Sequence, residues 1–244
     1  MKLEVKSFYD NLWSSNKLME EDIKLLAIKK SAIEYSYSLL GNLKNKSLLE
    51  IGCGSGLQTI ELAKRGAKVT EIDFSEKSIE LLKKTAKIEG INYVTALKMN
   101  AERMKFKAGY FDFVYIDSVL MHVDKEKVLS ECSRVVKKGG KVVIVDSLKY
   151  NPFVLPYRLF SMYKRTKPKY MTIGLFKKFK KYFSEMETKE FYLFSVIFLF
   201  LFKIIDKEKA LKLHQIIEKI DNALVSIFPF LRSLCWIAVV GYKK

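Results

Sequence analysis

Short apolar runs alternate with stretches of helical spacing along the first two thirds of the chain, as in a parallel sheet with crossover helices. Ser47 to Ile51 is apolar enough for a strand buried on both faces. After a glycine-rich turn, Leu57 to Lys64 has helical spacing and Lys68 to Ile72 is a second strand. Ser75 is a good N-cap for a helix over Glu76 to Ile88. Tyr93 to Met99, Phe111 to Ile116 and the run KVVIVD ending at Asp146 read as the third, fourth and fifth strands. The fifth is entered by a Lys137-Lys138-Gly139-Gly140 turn. Asp22 to Leu40 has an apolar period that predicts a helix ahead of the sheet.

Beyond the fifth strand the pattern changes. Thr172 to Phe183 reads as a helix with Leu175, Phe176, Phe179 and Phe183 on one stripe and lysines on the other. A sixth strand is expected to end near Phe194, inside the apolar run FYLFSVIFLFLF from Phe191 to Phe202. A spanning helix needs roughly twenty apolar residues, so this run predicts a short apolar helix over Ser195 to Ile205. Leu213, Ile216, Ile217, Ile220, Leu224, Ile227 and Phe228 then recur at helical spacing, with His214 among the polar residues opposite. Pro229 ends that helix, and Trp236 to Val240 is the last strand. The helical stretch is either a cap packed on the domain or a dimer interface, or else an apolar platform for a lipid-like substrate or a bilayer surface.

With 244 residues, the chain is sized for one α/β domain. It divides into an N-terminal helical arm (1–45), a core (46–147), a lid (148–171) and a helical insertion (195–234). Apolar residues at 49% and aromatics at 13% exclude wholesale disorder. Cys53, Cys132 and Cys235 are scattered and there are two histidines, which argues against a zinc site or a disulfide framework; no metal is expected. Cytoplasmic placement is expected, since the segment MKLEVKSFYDNL lacks the apolar centre of a signal peptide.

Charge changes the picture. The formal net charge is +17, and no Asp or Glu occurs between Ser147 and Ser184. Lysines, arginines and aromatics interleave there, including Arg158, Lys169, Tyr157 and Tyr170, and Pro152, Pro156 and Pro168 mark the segment as an insertion. That composition suits nucleic acid, an anionic membrane surface or an acidic substrate.

The chemistry is concentrated in Glu50-Ile51-Gly52-Cys53-Gly54-Ser55-Gly56 and in Asp73, at the end of the next apolar run. Three glycines in five positions permit positive φ and close approach of the backbone to a ligand. The following helix presents its N-terminus, which favours an anionic group. Asp73 can accept hydrogen bonds from ribose hydroxyls. A dinucleotide fingerprint would place a third glycine at Leu57 or Thr59, and both registers fail. An acid two residues before G-x-G-x-G resembles the class I S-adenosylmethionine-dependent methyltransferases, in particular the type 11 and quinone-biosynthesis group.

The resemblance is strong over Ser47 to Asp146. It implies a Rossmann-like, doubly wound, seven-stranded sheet, mostly parallel with an antiparallel last strand and helices on both faces. S-adenosylmethionine is the implied cofactor and S-adenosylhomocysteine the product. The cofactor residues it implies are Glu50, Gly52, Gly54, Gly56, Asp73, Phe74, Asn100, Ala101 and Asp117. An aromatic on an N-terminal helix often closes the pocket in related enzymes; Tyr9 is the candidate, beside the reading of a plain hydrophobic staple. His122 is the histidine at the ligand edge of the sheet and is either a general base or a residue that caps a helix and shapes the pocket.

The sequence lacks the features of several neighbouring activities. Asp117-Ser118-Val119-Leu120 stands where amino-methylating nucleic-acid enzymes carry an Asn/Asp-Pro-Pro-aromatic element. No cysteine has the setting of a cytosine-C5 nucleophile, and no Asp/Asn cluster suggests a catechol-type magnesium site. The expected activity is methyl transfer by in-line attack to a small apolar or amphiphilic acceptor such as a lipid or quinone. A peripheral anionic membrane surface and a homo-oligomer are compatible partners, nucleic acid less so. The alternatives are an RNA methyltransferase using the basic lid, and a non-catalytic subunit that binds lipid or nucleic acid.

Overall fold

Seven strands make one sheet: β1 (Ser47–Ile51), β2 (Lys68–Asp73), β3 (Thr95–Lys98), β4 (Phe111–Asp117), β5 (Val136–Ser147), β6 (Glu185–Phe191) and β7 (Ile237–Lys243). The computed structural model describes residues 3–12, 23–160, 166–201 and 206–244. Trp13 of the arm, residues 161–165 of the lid and residues 202–205 closing the apolar run lie outside the described residues. The strand order is β3-β2-β1-β4-β5-β7-β6. The first five strands pair in parallel, and β7 runs antiparallel to both β5 and β6. Chain order reverses between β1 and β4, so the crevice of an open α/β sheet lies at their carboxyl ends.

The helices are α1 (Leu3–Leu12), α2 (Lys30–Leu40), α3 (Leu57–Lys64), α4 (Glu76–Ile88), α5 (Lys125–Val135), α6 (Leu155–Phe160), α7 (Ile173–Phe179), α8 (Phe198–Leu201) and α9 (Lys207–Ile227). Alternation along the strands feeds two cores. Leu48, Val143 and Val145 pack with Ala32, Ile60 and Leu82. Leu49, Val142 and Ile144 pack with Leu129, Cys132 and Phe176 on the other face. Ser75 caps α4 as expected, its hydroxyl accepting from the Ser78 N–H at 3.2 Å.

Several boundaries differ from the sequence expectation. β3 is reduced to Thr95–Lys98, paired from Thr70 to Asp73 of β2, and at its carboxyl end it stops where β2 stops. β6 stops at Phe191, since Tyr192 takes φ +66° and its buried hydroxyl accepts from the Ala32 N–H at 3.0 Å. The apolar run is therefore no single helix; it is a 3-10 turn at Ser195–Ile197 followed by the short α8. The predicted N-terminal helix is helical over 23–28 and in α2, interrupted at Lys29. The last strand begins and ends later, at Ile237 and Lys243. The Lys137-Lys138-Gly139-Gly140 turn is a bulge within β5: Phe111 pairs with Val136, whereas Phe113 pairs with Lys141.

On α9 the pattern left the packing open. His214, Glu218 and Asp221 of its polar stripe are buried while Lys212, Gln215 and Lys219 are exposed, and Leu213, Ile216 and Ile220 of its apolar stripe face out. His214 is 2% exposed and Asp221 is buried with it, whereas Ile216 and Ile220 are 55% and 48% exposed. Asp221 accepts from the N–H groups of Phe194 and Ser195 and from the Ser195 hydroxyl. The two ring nitrogens of His214 meet the carbonyls of Ser195 and Ile28, each at 3.1 Å. The reason is local. The chain at 194–198 has left the sheet and offers backbone groups that need partners, and burying them against leucine would leave them unpaired.

Candidate functional site

Each glycine of the turn has positive φ: +83° at Gly52, +52° at Gly54 and +85° at Gly56. A Cβ at Gly52 would lie 2.4 Å from Val119 Cγ2. Gly56 is the N-cap of α3 and packs on α4, where a Cβ would lie 2.9 Å from Leu82 Cδ1. The Gly56 N–H donates to the Cys53 carbonyl at 2.8 Å, which closes the turn.

Above the turn lies a cavity of about 680 Å³ at the carboxyl ends of β1, β2 and β4. Its walls bring together Tyr9, Glu50, Gly52, Gly54, Asp73, Phe74, Asn100, Ala101, Asp117 and His122. Gly56 supports the turn from below and does not line the cavity. Segments from five parts of the chain thus converge on one crevice.

Buried carboxyl groups dominate the floor. Glu50 and Glu71 are paired in register on β1 and β2. Burial raises Glu50 to about 8, so at neutral pH it is protonated and can donate as well as accept. Glu71 is also pushed well above the ordinary range by burial, with the Asp73 and Glu50 charges adding to the effect. It accepts from the Cys53 N–H at 3.1 Å and fastens the turn to β2. Asp73 is raised to about 6 by burial, opposed by backbone N–H groups that include that of Ser75 at 2.8 Å. It remains largely a carboxylate at pH 7. The Cys53 thiol is buried and pushed far above its ordinary value, which removes it as a nucleophile.

Lys29 was not legible as a site residue, whereas Tyr157, Arg158 and Tyr170 fall in the basic aromatic segment read from the sequence as a lid. Lys29 is 3% exposed, and its ammonium lies 2.6 and 2.9 Å from the two carboxylate oxygens of Asp117. The signal was a lysine on the apolar stripe formed by Leu25, Ile28, Ala32 and Ile33. On the far side of the cavity, Val154, Tyr157, Arg158 and Tyr170 from the segment after β5 meet Phe200 and Trp236 from the tail. Aromatics so far apart in sequence carry no joint pattern.

His122 sits in a 3-10 turn after β4. Its Nε2 is 2.7 Å from the Tyr9 hydroxyl, and the two rings meet edge-on with centroids 5.3 Å apart. Tyr9 also meets Phe74 edge-on at 6.1 Å. α1 thus lays an aromatic across the crevice and ties it to the histidine. Burial, with the nearby Lys125 charge, lowers His122 to about 4, so the ring is neutral at pH 7.

The residues present fit an adenosylated amino-acid cofactor. The turn approaches closely because its glycines have no Cβ, Asp73 closes β2, and the buried Glu50 Oε2 lacks a hydrogen-bond partner at the cavity floor. No metal is needed to account for the carboxyl groups, although Cys53, Glu71 and Asp73 place one ligand atom each within 4.8 Å of the others.

Residues 49–144 match a methyltransferase domain. Ubiquinone biosynthesis O-methyltransferase of Nitrosomonas europaea is 34% identical over 122 residues, covering 49% of this chain and 51% of that protein. The chain spans about half the length of the curated relatives it matches (51%, 56% and 43% for three of them). Among solved structures, geranyl diphosphate C-methyltransferase from Streptomyces coelicolor, bound to Mg2+, geranyl diphosphate and S-adenosylhomocysteine, superposes with a TM-score of 0.66. That match is 15% identical and covers 88% of this chain and 79% of the other. The [4+2]-cyclase SpnF superposes with a TM-score of 0.62 at 16% identity, covering 88% of this chain and 81% of that one. The fold is therefore shared by enzymes of more than one chemistry.

Proposed function

We propose that this protein, whose residues 49–144 match a methyltransferase domain, uses S-adenosylmethionine to methylate a small apolar or amphiphilic acceptor, such as a quinone or lipid. The observation that carries the acceptor reading is the composition of the cavity's far wall. Beyond the glycine turn and the carboxyl groups, Leu25, Val154, Tyr157, Tyr170, Phe200 and Trp236 line it together with Arg158. An apolar cavity with a few placed polar groups suits such a ligand.

Gly52 and Gly54 would hold the amino-acid end of the cofactor, Asp73 the ribose hydroxyls, and Asn100 and Ala101 the adenine. When bound, S-adenosylmethionine supplies an activated methyl group on a sulfonium. The protein's task is then alignment of the acceptor and exclusion of water. Tyr9 on α1 covers the crevice and excludes water. Lys29 neutralises Asp117 beside it, so a carboxylate within the crevice is left without an uncompensated charge. His122, neutral and oriented by Tyr9, would accept the proton of an acceptor hydroxyl. Its lowered basicity makes it a weak base that works by position.

The outward apolar stripe of α9 supports action at an anionic bilayer surface. Leu213, Ile216, Ile220 and Ile227 form it, with exposed Lys209 and Lys219 beside it and Lys212 paired to Glu208 at 2.9 Å. That is the pattern of an interfacial helix. Among the described residues no helix is long and apolar enough to cross a membrane.

The deciding experiment is transfer of label from S-adenosylmethionine into an extract of the source organism, partitioned between organic-soluble and nuclease-sensitive material. The expected label is in the organic fraction. Label removed by nuclease would replace this reading with an RNA methyltransferase.

A further inference from the structure

Arg158 lies on α6, in the stretch from Ser147 to Ser184 that contains no acidic residue. It lines the far wall of the cavity and is 9% exposed. Its guanidinium stacks on the Tyr170 ring, with Cζ 3.7 Å from the centroid. Nη1 donates to the Lys149 carbonyl at 3.0 Å. Nη2 is buried and has no hydrogen-bond partner. Among the described residues no carboxylate forms an ion pair with it. The acid that influences it electrostatically is Asp146, whose two oxygens accept from the N–H groups of Leu120 and Ser147.

A guanidinium stays protonated in proteins, and keeping one buried without a counter-ion is costly. The ring stack and the carbonyl fix the plane of the fork, which lowers the cost of ordering it on a ligand. A planar fork matches carboxylate and phosphate oxygens. The adjoining wall, Val154, Tyr157 and Phe200, is apolar, and Tyr157 and Phe200 are in ring contact at 5.9 Å.

We propose that Arg158 anchors an anionic group, a carboxylate or a phosphate, on the methyl acceptor, whose apolar body lies against Val154, Tyr157 and Phe200. The proposal rests on reading this half of the cavity as the acceptor site. It narrows the acceptor class from apolar or amphiphilic molecules to anionic amphiphiles.

The test is calorimetric titration of the full chain with dodecanoate, dodecyl phosphate and dodecanol, each below its micelle-forming concentration, with and without S-adenosylhomocysteine. At least one of the anions is expected to bind about tenfold or more tighter than the alcohol. The tighter of the two identifies the group as carboxylate or phosphate. Arg158→Met, which keeps an unbranched apolar stem and removes the guanidinium, should reduce both anions to the affinity of the alcohol, and Arg158→Lys should retain part of the preference. Equal binding of all three probes to the native chain overturns the proposal, as does a preference that survives in Arg158→Met. If that variant does not fold, the native chain and Arg158→Lys still decide. S-adenosylhomocysteine affinity is read in the same titrations. Its absence in the native chain would sink the methyltransferase reading, while the anion preference measured without it still judges Arg158.

Discussion

At Gly52 two constraints coincide: φ is +83°, and a Cβ would meet Val119 Cγ2 at 2.4 Å. Gly52→Ala must therefore displace either the turn or the segment after β4, and both line the cavity. Its affinity for S-adenosylmethionine should fall at least about tenfold, with a stability loss on the order of 1–3 kcal/mol. Calorimetric titration and thermal melting check both. His122 carries a different expectation. Because burial lowers it to about 4, the ring should add an acid limb to kcat/KM near that value, below the limbs set by Asp73 and Glu50. A profile that keeps the same acid limb in His122→Ala would remove His122 as the base. His122→Ala should lower turnover about a hundredfold while leaving cofactor affinity within a few-fold. The glycines and Asp73 were legible because their role depends on contiguous backbone. Lys29 was not, because a charge reads as solvated until the fold shows what covers it, and Arg158 stood out only as one member of the basic aromatic segment until the fold buried it.

Elements divide in the same way. The strands β1, β2 and β4 and the helices α3 and α4 follow from local patterns, and their bounds fall within about two residues of the expectation. α9 shows what pattern reading leaves open. Amphipathicity tells that a helix has two faces, while its neighbours decide which one is buried. Here Asp221 and His214 satisfy backbone groups at Ser195 and Ile28, and the apolar row turns outward. If that row meets a bilayer, the chain should co-sediment with vesicles containing phosphatidylglycerol. Paired Ile216→Asp and Ile220→Asp substitutions should weaken this by about tenfold or more without lowering the melting temperature. A change from dimer to monomer in the same variant, with vesicle binding unaltered, would assign the row to a second copy of the chain.

For the whole molecule, the buried carboxyl groups set how stability varies with pH. Glu50, Asp146 and Asp73 are raised by burial to about 8, 7 and 6, and Glu71 is raised as well. Between their unfolded values of about 4 and these folded values, the native state binds more protons than the unfolded chain, so stability falls as pH rises. His122 acts in the opposite direction, but only from about 4 to its unfolded value near 6.5. Above that point the acids act alone. The melting temperature without cofactor should decline from pH 6.5 to 9, and Glu50→Gln should reduce the decline and raise stability at the alkaline end. A flat melting profile for the native chain over that range would show that these groups are solvated.

The central strands of the sheet, the glycine turn and the carboxylate that answers it were readable from the chain alone. All of these depend on residues close together in the chain, where spacing dictates geometry. The far wall of the cavity became visible only in the folded chain. The cavity's far wall joins residues near 25, 157, 170, 200 and 236, and the burial of Arg158 and the outward turn of α9 depend on neighbours distant in sequence. Short-range spacing holds no record of such contacts, because the side chains that satisfy or exclude one another there meet only when the chain has folded.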